Sequence, residues 1–244
     1  TLSASDNFAL DWQKIKEAIS EKTKAILVNT PHNPTGYIWT QEDWRQLAEL
    51  IGEKDIFVIS DEVYDNIIFD GKKHNPGFLQ PSLEGKVISL YSFGKTFHIT
   101  GWKIGYVVAS EALTSAFRSV HQYLTFSVNS PAQYALARYL EMYNPLEASL
   151  ILQKKRDLLI DELKESHLIK LNTSEGTYFQ LYNYSAISDL PDTEFAKWLT
   201  TEYKVATIPL SAFFRFPQND KIVRLCFAKI DEVLIKAAAQ LRKI

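Results

Sequence analysis

Three polar side chains of this sequence, Asn33, Asp61 and Lys95, each follow a short apolar run. An amide can donate a hydrogen bond to a phenolic oxygen or a carboxylate, and a half-buried carboxylate can keep a ring nitrogen protonated. A lysine with a lowered pKa can form a Schiff base. Because the carboxyl ends of successive parallel strands meet at one edge of a sheet, we expect the three side chains to converge on one small-molecule site.

Each of these residues also has a simpler structural interpretation. Asn33 lies in the segment Asn33-Pro-Thr-Gly36, whose proline and glycine are typical of a strand-to-helix turn. Asp61 is equally consistent with a helix N-cap, and most lysines are solvated surface residues. Lys95, however, follows an apolar strand and is bracketed by small residues that would let a bulky ligand approach.

Further residues are assigned from their neighbours in the sequence. Tyr64 lies three residues after Asp61 and can direct its hydroxyl into the same crevice. Glu62 and Asp65 are expected to cap a helix or to face solvent. Arg224 lies among apolar residues of a predicted C-terminal strand, where a charge is costly without a partner such as a salt-bridged carboxylate.

The apolar runs predict an α/β fold with a mixed sheet. The predicted strands are Lys24–Asn29, Ile56–Ser60, Val87–Tyr91 and Ile104–Ala109, and the predicted helices between them are Asp11–Ser20 and a segment capped by Thr40 and Asp43. Strand, helix and strand in succession indicate the βαβ unit of a parallel sheet. Only Ser92–Lys103 separates the third strand from the fourth. Because this is short for a parallel crossover, we expect the fourth strand to be antiparallel.

The second half of the sequence changes from helices to short strands. The predicted helices are Glu111–Tyr123, Pro131–Tyr143, Pro145–Glu165, Asp192–Tyr203 and Asp231–Ile244, and the predicted strands are Leu168–Leu171, Thr177–Tyr182, Val205–Ile208 and Ile222–Phe227. We therefore predict a large domain over residues 1–144 and a connecting helix with a smaller α/β domain over residues 145–244.

Composition excludes several classes of protein. The 244 residues carry a formal net charge of −2 without a long run of one sign, which is not typical of a nucleic-acid or anionic-membrane partner. Cys226 is the single cysteine, and the five histidines lack metal-ligand spacing, so neither an internal disulfide nor a metal site is expected. Without a membrane-spanning apolar stretch or a signal-peptide pattern, a soluble cytoplasmic protein is expected.

Four motifs together make the sequence similar to the class I and II pyridoxal-phosphate-dependent aminotransferases, in particular to the methionine, aromatic and kynurenine–glutamine transaminase branch. The motifs are Asn33-Pro-Thr-Gly36, Ser60-Asp-Glu-Val-Tyr64, Ser92-Phe-Gly-Lys95 and Val223-Arg-Leu-Cys-Phe-Ala-Lys229. The resemblance covers essentially the whole chain. It implies fold type I, with a mixed and mostly parallel sheet, helices on both faces and a smaller C-terminal α/β domain. The implied reaction exchanges an amino group between an L-amino acid and a 2-oxo acid through pyridoxal 5'-phosphate.

The resemblance also implies a role for each cofactor residue. Lys95 matches the lysine that binds the cofactor as a Schiff base and moves the catalytic proton. Asp61 matches the partner of the pyridinium nitrogen, and Tyr64 and Asn33 match donors to the ring oxygen.

Three further roles follow from the same resemblance. Ser92 and Lys103 match contacts to the cofactor phosphate, with Lys103 in the place of the arginine found in much of the superfamily. Arg224 matches the arginine that binds the substrate α-carboxylate, with Asn33 beside it.

The resemblance finally implies a homodimer with shared active sites, to which residues 121–126 would contribute. Core packing is an equally open interpretation of Phe126. A cystathionine or cysteine-S-conjugate β-lyase of the same fold is an alternative enzyme, because it uses the same lysine, aspartate and arginine. A non-catalytic pyridoxal-phosphate-binding effector domain is a third possibility, against which the retained Lys95 argues. Full-length relatives carry a long segment before the position that matches Thr1, including the ring-stacking aromatic residue and the phosphate cup. This chain is therefore either the ordered or expressed portion of a longer enzyme, which we favour, or a fragment that cannot bind the cofactor well alone.

Overall fold

The structure is a computed structural model that describes residues 6–215 and 219–244. These residues form two compact units. The sheet unit consists of Asp11–Pro31 and Ile38–Ala148, and the C-terminal unit consists of residues 6–10, His32–Tyr37 and the described part of Ser149–Ile244. Two short segments of the N-terminal half thus belong to the C-terminal unit.

The sheet unit contains a four-stranded mixed sheet, as predicted. Its strands, in spatial order, are β1 (Ala25–Asn29), β2 (Phe57–Asp61), β3 (Val87–Ser92) and β4 (Gly105–Ala109). The first three strands are parallel and β4 is antiparallel to β3, which confirms the expectation from the short connection. The register pairs Asn29 with Asp61 and Asp61 with Leu90, so the carboxyl ends of the three parallel strands share one edge.

The sheet unit also contains helices before, between and after these strands in the sequence. They are α1 (Trp12–Ala18), α2 (Gln41–Ile51), α3 (Phe93–Thr96), α4 (Glu111–Leu124) and α5 (Ser130–Leu140). The expected cap of α2 is present: Asp43 N–H donates to Thr40 Oγ1 at 3.1 Å, and Thr40 N–H donates to the Asp43 carboxylate at 2.7 Å. The two bonds give hydrogen-bond acceptors to the backbone N–H groups of Thr40 and Asp43 at the start of the helix. Trp44, Leu47 and Ile51 form the buried apolar face of α2.

The C-terminal unit contains an antiparallel sheet. Its strands are β5 (Ile169–Lys170), β6 (Phe179–Asn183), β7 (Ile208–Pro209) and β8 (Ile222–Cys226), in the order β5-β6-β8-β7, and its helices are α7 (Asp192–Glu202) and α8 (Asp231–Leu241). Helix α6 (Pro145–Glu162) begins at the end of the sheet unit and continues in this one. The predicted strand Val205–Ile208 is wrong in its position, because β7 begins only at Ile208.

Among residues 6–215 and 219–244, none of the helices combines the length with the apolar composition that a membrane span needs.

Candidate active site

Asp61 ends β2 at the shared carboxyl edge and is partly buried. Its backbone carbonyl accepts hydrogen bonds from Thr30 N–H at 3.0 Å and from the Asn29 side chain at 2.9 Å. Residues 63–66 form a turn, so Asp61 is not a helix N-cap. Burial raises the pKa of Asp61, whereas a hydrogen bond from Val63 N–H and the charge of Lys95 lower it.

Lys95 lies in α3, a single helical turn that follows β3 directly. Its Nζ is 5.7 Å from the ring centroid of Tyr64, which is 4% exposed. The positive charge of Lys95 also lowers the pKa of Asp61, so the Asp61 carboxylate lies close enough to Lys95 to interact with it. The structure therefore groups an amine, a phenol and a carboxylate at the ends of two adjacent strands.

Ser92 and Lys103 lie at the same end of the β3–β4 pair. Ser92 is the last residue of β3 and pairs with Gly105, and Phe93 N–H donates to the Ile104 carbonyl at 3.1 Å. Lys103 immediately precedes Ile104, is exposed and has a φ of +56°. The register thus places a hydroxyl and a cation close to the start of α3.

Glu62 is fully buried, so the expectation that it caps a helix or faces solvent is wrong. Its carboxylate accepts hydrogen bonds from Ser89 Oγ at 2.7 Å, Tyr91 Oη at 2.8 Å and Gly77 N–H at 3.0 Å, and it also pairs with His74 Nε2. Burial alone would raise the pKa of Glu62, but these donors outweigh it and hold that pKa below its usual range. Burial and the nearby negative charge raise the pKa of Tyr91.

Asp65 is only partly exposed, which also differs from the expectation. Burial raises the pKa of its carboxyl group to about 6, partly offset by the charge of His74 and by hydrogen bonds at Asn66. Of the two acidic residues near Tyr64, Glu62 is therefore fully buried and Asp65 is partly buried.

The C-terminal unit groups Asn33 with Arg224. Arg224 lies in β8, and its Nη1 donates to Asn33 Oδ1 at 2.6 Å. The guanidinium carbon lies 3.8 Å from the ring centroid of Phe179 and 5.0 Å from that of Phe213. A cavity of about 290 Å³ borders Asn33 and Phe213. A hydrogen bond and aromatic stacking thus hold the guanidinium beside the turn that carries Asn33.

His32 and Phe126 belong to neither of the two groups described above. His32 Nδ1 lies 2.8 Å from Thr35 Oγ1, and burial lowers the pKa of His32 to about 4, so the ring is neutral at physiological pH. Phe126 is 90% exposed, so core packing does not explain it. The described residues contain no group of three side chains arranged to hold a metal ion.

Comparisons with known proteins identify the family of the chain. The family model of class I and II aminotransferases matches residues 1–241, so the chain belongs to this family. A methionine aminotransferase from Escherichia coli strain K12 is 47% identical over 98% of this chain and 62% of its own length. A kynurenine–oxoglutarate transaminase from Dictyostelium discoideum is 35% identical over 99% of this chain and 61% of its own length.

Solved structures confirm the fold class. The crystal structure of an Escherichia coli protein with a methionine aminotransferase function has a TM-score of 0.94 at 47% identity, covering 98% of this chain and 63% of that one. The N-succinyldiaminopimelate aminotransferase of Mycobacterium tuberculosis has a TM-score of 0.90 at 31% identity, covering 96% and 62%. The chain thus has the type I fold of pyridoxal-phosphate-dependent transferases and spans 61–62% of the length of these two curated relatives.

Proposed function

We propose that the protein is a pyridoxal-phosphate-dependent aminotransferase that exchanges the amino group between an L-amino acid and a 2-oxo acid. The grouping of Lys95, Asp61 and Tyr64 at the ends of β2 and β3, in a member of this family, is the observation that supports the proposal most directly. Similarity to a methionine aminotransferase and to kynurenine–oxoglutarate transaminases supports methionine, aromatic or similar amino acids as substrates.

Pyridoxal phosphate fits the chemistry of the side chains in the sheet unit. The cofactor has an aldehyde, a basic ring nitrogen, a phenolic oxygen and a phosphate, and each has a suitable partner among these residues. Lys95 would hold the aldehyde carbon, Asp61 the ring nitrogen and Tyr64 the ring oxygen, while Ser92 and Lys103 would contact the phosphate. When bound, the cofactor withdraws electrons from the substrate Cα.

Proton transfer and charge stabilisation are the tasks of Lys95 and Asp61 in this proposal. The Asp61 carboxylate would keep a proton on the ring nitrogen, because a negative charge within about 4–6 Å favours the protonated form of a base. Partial burial weakens the competition from water for this interaction. Once the substrate amine replaces it at the aldehyde carbon, Lys95 Nζ would be the base that takes the proton from the substrate Cα and delivers it to that carbon.

Arg224 and Asn33 would bind the substrate carboxylate and complete the contacts to the cofactor. A planar guanidinium offers two parallel N–H donors to a carboxylate, and the contacts with Asn33 and Phe179 fix its plane. Because Asn33 Oδ1 accepts from Arg224, the amide nitrogen of Asn33 is the atom that would donate to the ring oxygen.

We also propose that the protein is a cytoplasmic homodimer with shared active sites. The boundary between its large and small domains is proposed to lie between residues 144 and 145. Tyr123 and Phe126 are 84% and 90% exposed in the segment that would contact the partner, which supports this role. Light scattering of the purified protein tests the dimer, since a monomeric mass would contradict it.

The reaction is tested by following the amino-acid half-reaction of the cofactor-loaded protein by absorbance. With methionine or an aromatic amino acid, we expect pyridoxamine phosphate and the matching 2-oxo acid in equal amounts. Release of pyruvate and ammonia from cystathionine or a cysteine S-conjugate would instead assign a β-lyase. A loaded protein that performs neither reaction would refute both enzymes and leave a cofactor-binding protein without turnover.

The position of the cofactor is tested by chemical trapping. Borohydride reduction of the loaded protein, followed by peptide mass mapping, should place a pyridoxyl group on Lys95, because Lys95 is the amine grouped with Asp61 and Tyr64. Lys103 is an internal control in the same digest. A label on Lys103, or on no lysine of a loaded protein, would refute the assignment.

A further inference from the structure

The buried carboxylate of Glu62 connects three segments of the sheet unit. Two of its donors, Ser89 and Tyr91, belong to β3. The other two, Gly77 N–H and His74, belong to the segment that connects β2 to β3. A carboxylate is removed from water only at a large cost unless donors surround it, and here four donors do so.

The position of Glu62 relates this cluster to the proposed cofactor site. Asp61 pairs with Leu90, whose side chain lies on the opposite face of β3 from Ser89 and Tyr91, the two β3 residues that donate to Glu62. Asp61 and the Glu62 carboxylate therefore lie on opposite faces of the sheet. Ser60 and Ser89 are both fully buried on the face of Glu62. In addition, Glu62 N–H donates to the Leu90 carbonyl at 2.9 Å, so the backbone of Glu62 is itself hydrogen-bonded to β3.

The two strands joined by Glu62 are the strands that carry the proposed cofactor residues. β2 ends in Asp61, and β3 passes through Tyr91 to Ser92 and then into α3 with Lys95. The distance between Asp61 and Lys95 therefore depends on how the ends of β2 and β3 are held together. The bonds from Ser89 and Tyr91 to Glu62 cross this junction directly.

We propose that Glu62 is a positioning residue that holds the end of β2, and with it Asp61, in the place relative to Lys95 that cofactor binding requires. The inference rests on the proposed function. Removal of the carboxylate would leave four inward-pointing donors with too few acceptors, so the ends of β2 and β3 would rearrange. The effect reaches the cofactor through Asp61, because Glu62 projects to the other face of the strand.

The test is Glu62→Gln, which preserves the shape but turns one acceptor oxygen into an amide that faces donors. We expect the dissociation constant for pyridoxal phosphate to rise about tenfold or more, which is the usual loss of affinity when a residue that orients a binding residue is replaced. We also expect the visible circular dichroism per bound cofactor, measured at saturation, to change. This second measurement reports the geometry of the bound cofactor and is independent of turnover and of occupancy.

Two further variants separate positioning from general destabilisation. Leu47→Ala removes a buried side chain of α2 outside the cluster and should lower the melting temperature without changing the dissociation constant or the dichroism. Tyr91→Phe removes one donor to Glu62 and keeps the ring. It should therefore raise the dissociation constant and change the dichroism in the same direction as Glu62→Gln, but by less. This variant also tests the inference if Glu62→Gln does not fold.

The outcomes distinguish this inference from the proposed function. If the parent protein binds pyridoxal phosphate and both cluster variants behave like Leu47→Ala, the positioning role is refuted while the proposed function stands. If the parent protein does not bind pyridoxal phosphate, the proposed function fails and the inference fails with it.

Discussion

At the end of β2, burial and charge act on the carboxyl group of Asp61 in opposite directions. Burial raises its pKa, while the N–H of Val63 and the charge of Lys95 lower it. A protonated ring nitrogen would add a further positive charge and favour the carboxylate. Asp61→Asn keeps the shape and removes this charge, so the half-reaction should slow by about a hundredfold or more. Stopped-flow absorbance measures the rate, and a near-normal rate at an unchanged melting temperature would contradict the role.

The guanidinium of Arg224 is held by Asn33 and by stacking on Phe179. Arg224→Lys keeps the charge but loses the planar pair of donors, so amino-acid binding should weaken by about 1.5–3 kcal/mol. Equilibrium titration with the amino acid measures this change, and cofactor affinity should be unaffected. Release of the cofactor, or a large fall in melting temperature with unchanged amino-acid affinity, would show that Arg224 has a structural role instead.

The local sequence predicts the positions of Asp61 and Lys95, which lie at or just after strand ends, but it does not predict the burial of Glu62, the residue after Asp61. Asp61 and Lys95 were predicted to converge because parallel strands end at one edge, and the structure groups them. Glu62 was wrongly expected near solvent, because its donors come from positions 12–29 residues further along the chain. The bond between Asn33 and Arg224 spans 191 residues, and only the family resemblance indicated that these two residues act together.

Elements with a local cause were predicted well. The capping box of α2 depends on Thr40 and Asp43 alone, and the antiparallel β4 follows from the length of its connection. The strand expected at Val205–Ile208 failed for a local reason as well. Lys204 has a φ of +60°, and Val205 N–H donates back to Leu199 at 3.2 Å, so these residues terminate α7 instead of starting a strand.

The turn that carries Asn33 depends on Gly36. Gly36 has a φ of +77°, and a Cβ there would lie 2.8 Å from the backbone Cα of Ser174 and 2.0 Å from its Oγ. Gly36→Ala should destabilise the protein by about 2–4 kcal/mol, from the positive φ and the overlap together, and should weaken amino-acid binding by displacing Asn33. Thermal unfolding and amino-acid titration measure the two effects.

Gly71→Ala is the matched control for the turn. Gly71 has a φ of +69°, and a Cβ at this residue would have no atom within 4 Å, so the variant isolates the backbone strain, about 1–2 kcal/mol. Equal destabilisation by the two variants would show that the contact with Ser174 is unimportant.

For the molecule as a whole, stability depends on pH through a partly buried acid, Asp65, and a fully buried one, Glu62, whose pKa values are shifted in opposite directions. The pKa of Asp65 is about 6 in the folded protein against an ordinary value of 3.8. The folded state therefore binds this proton more tightly than the unfolded state, and stability falls as the pH rises from about 4 to about 6. Glu62 has a lowered pKa and the opposite sign: its contribution is present above its ordinary pKa and is lost as the pH falls through the lower folded value.

Asp65→Asn should remove the first of these effects. The gap between about 6 and 3.8 corresponds to at most about 3 kcal/mol, so the variant should be more stable than the parent protein by up to this amount above pH 6. The difference should shrink as the pH falls and vanish near pH 4. Melting temperatures between pH 4 and pH 8 measure it, and Asp55→Asn, at an exposed position, controls for the change in net charge. A stability difference that stays constant across this range would contradict the assignment, because only a group that titrates differently in the folded and unfolded states changes stability with pH.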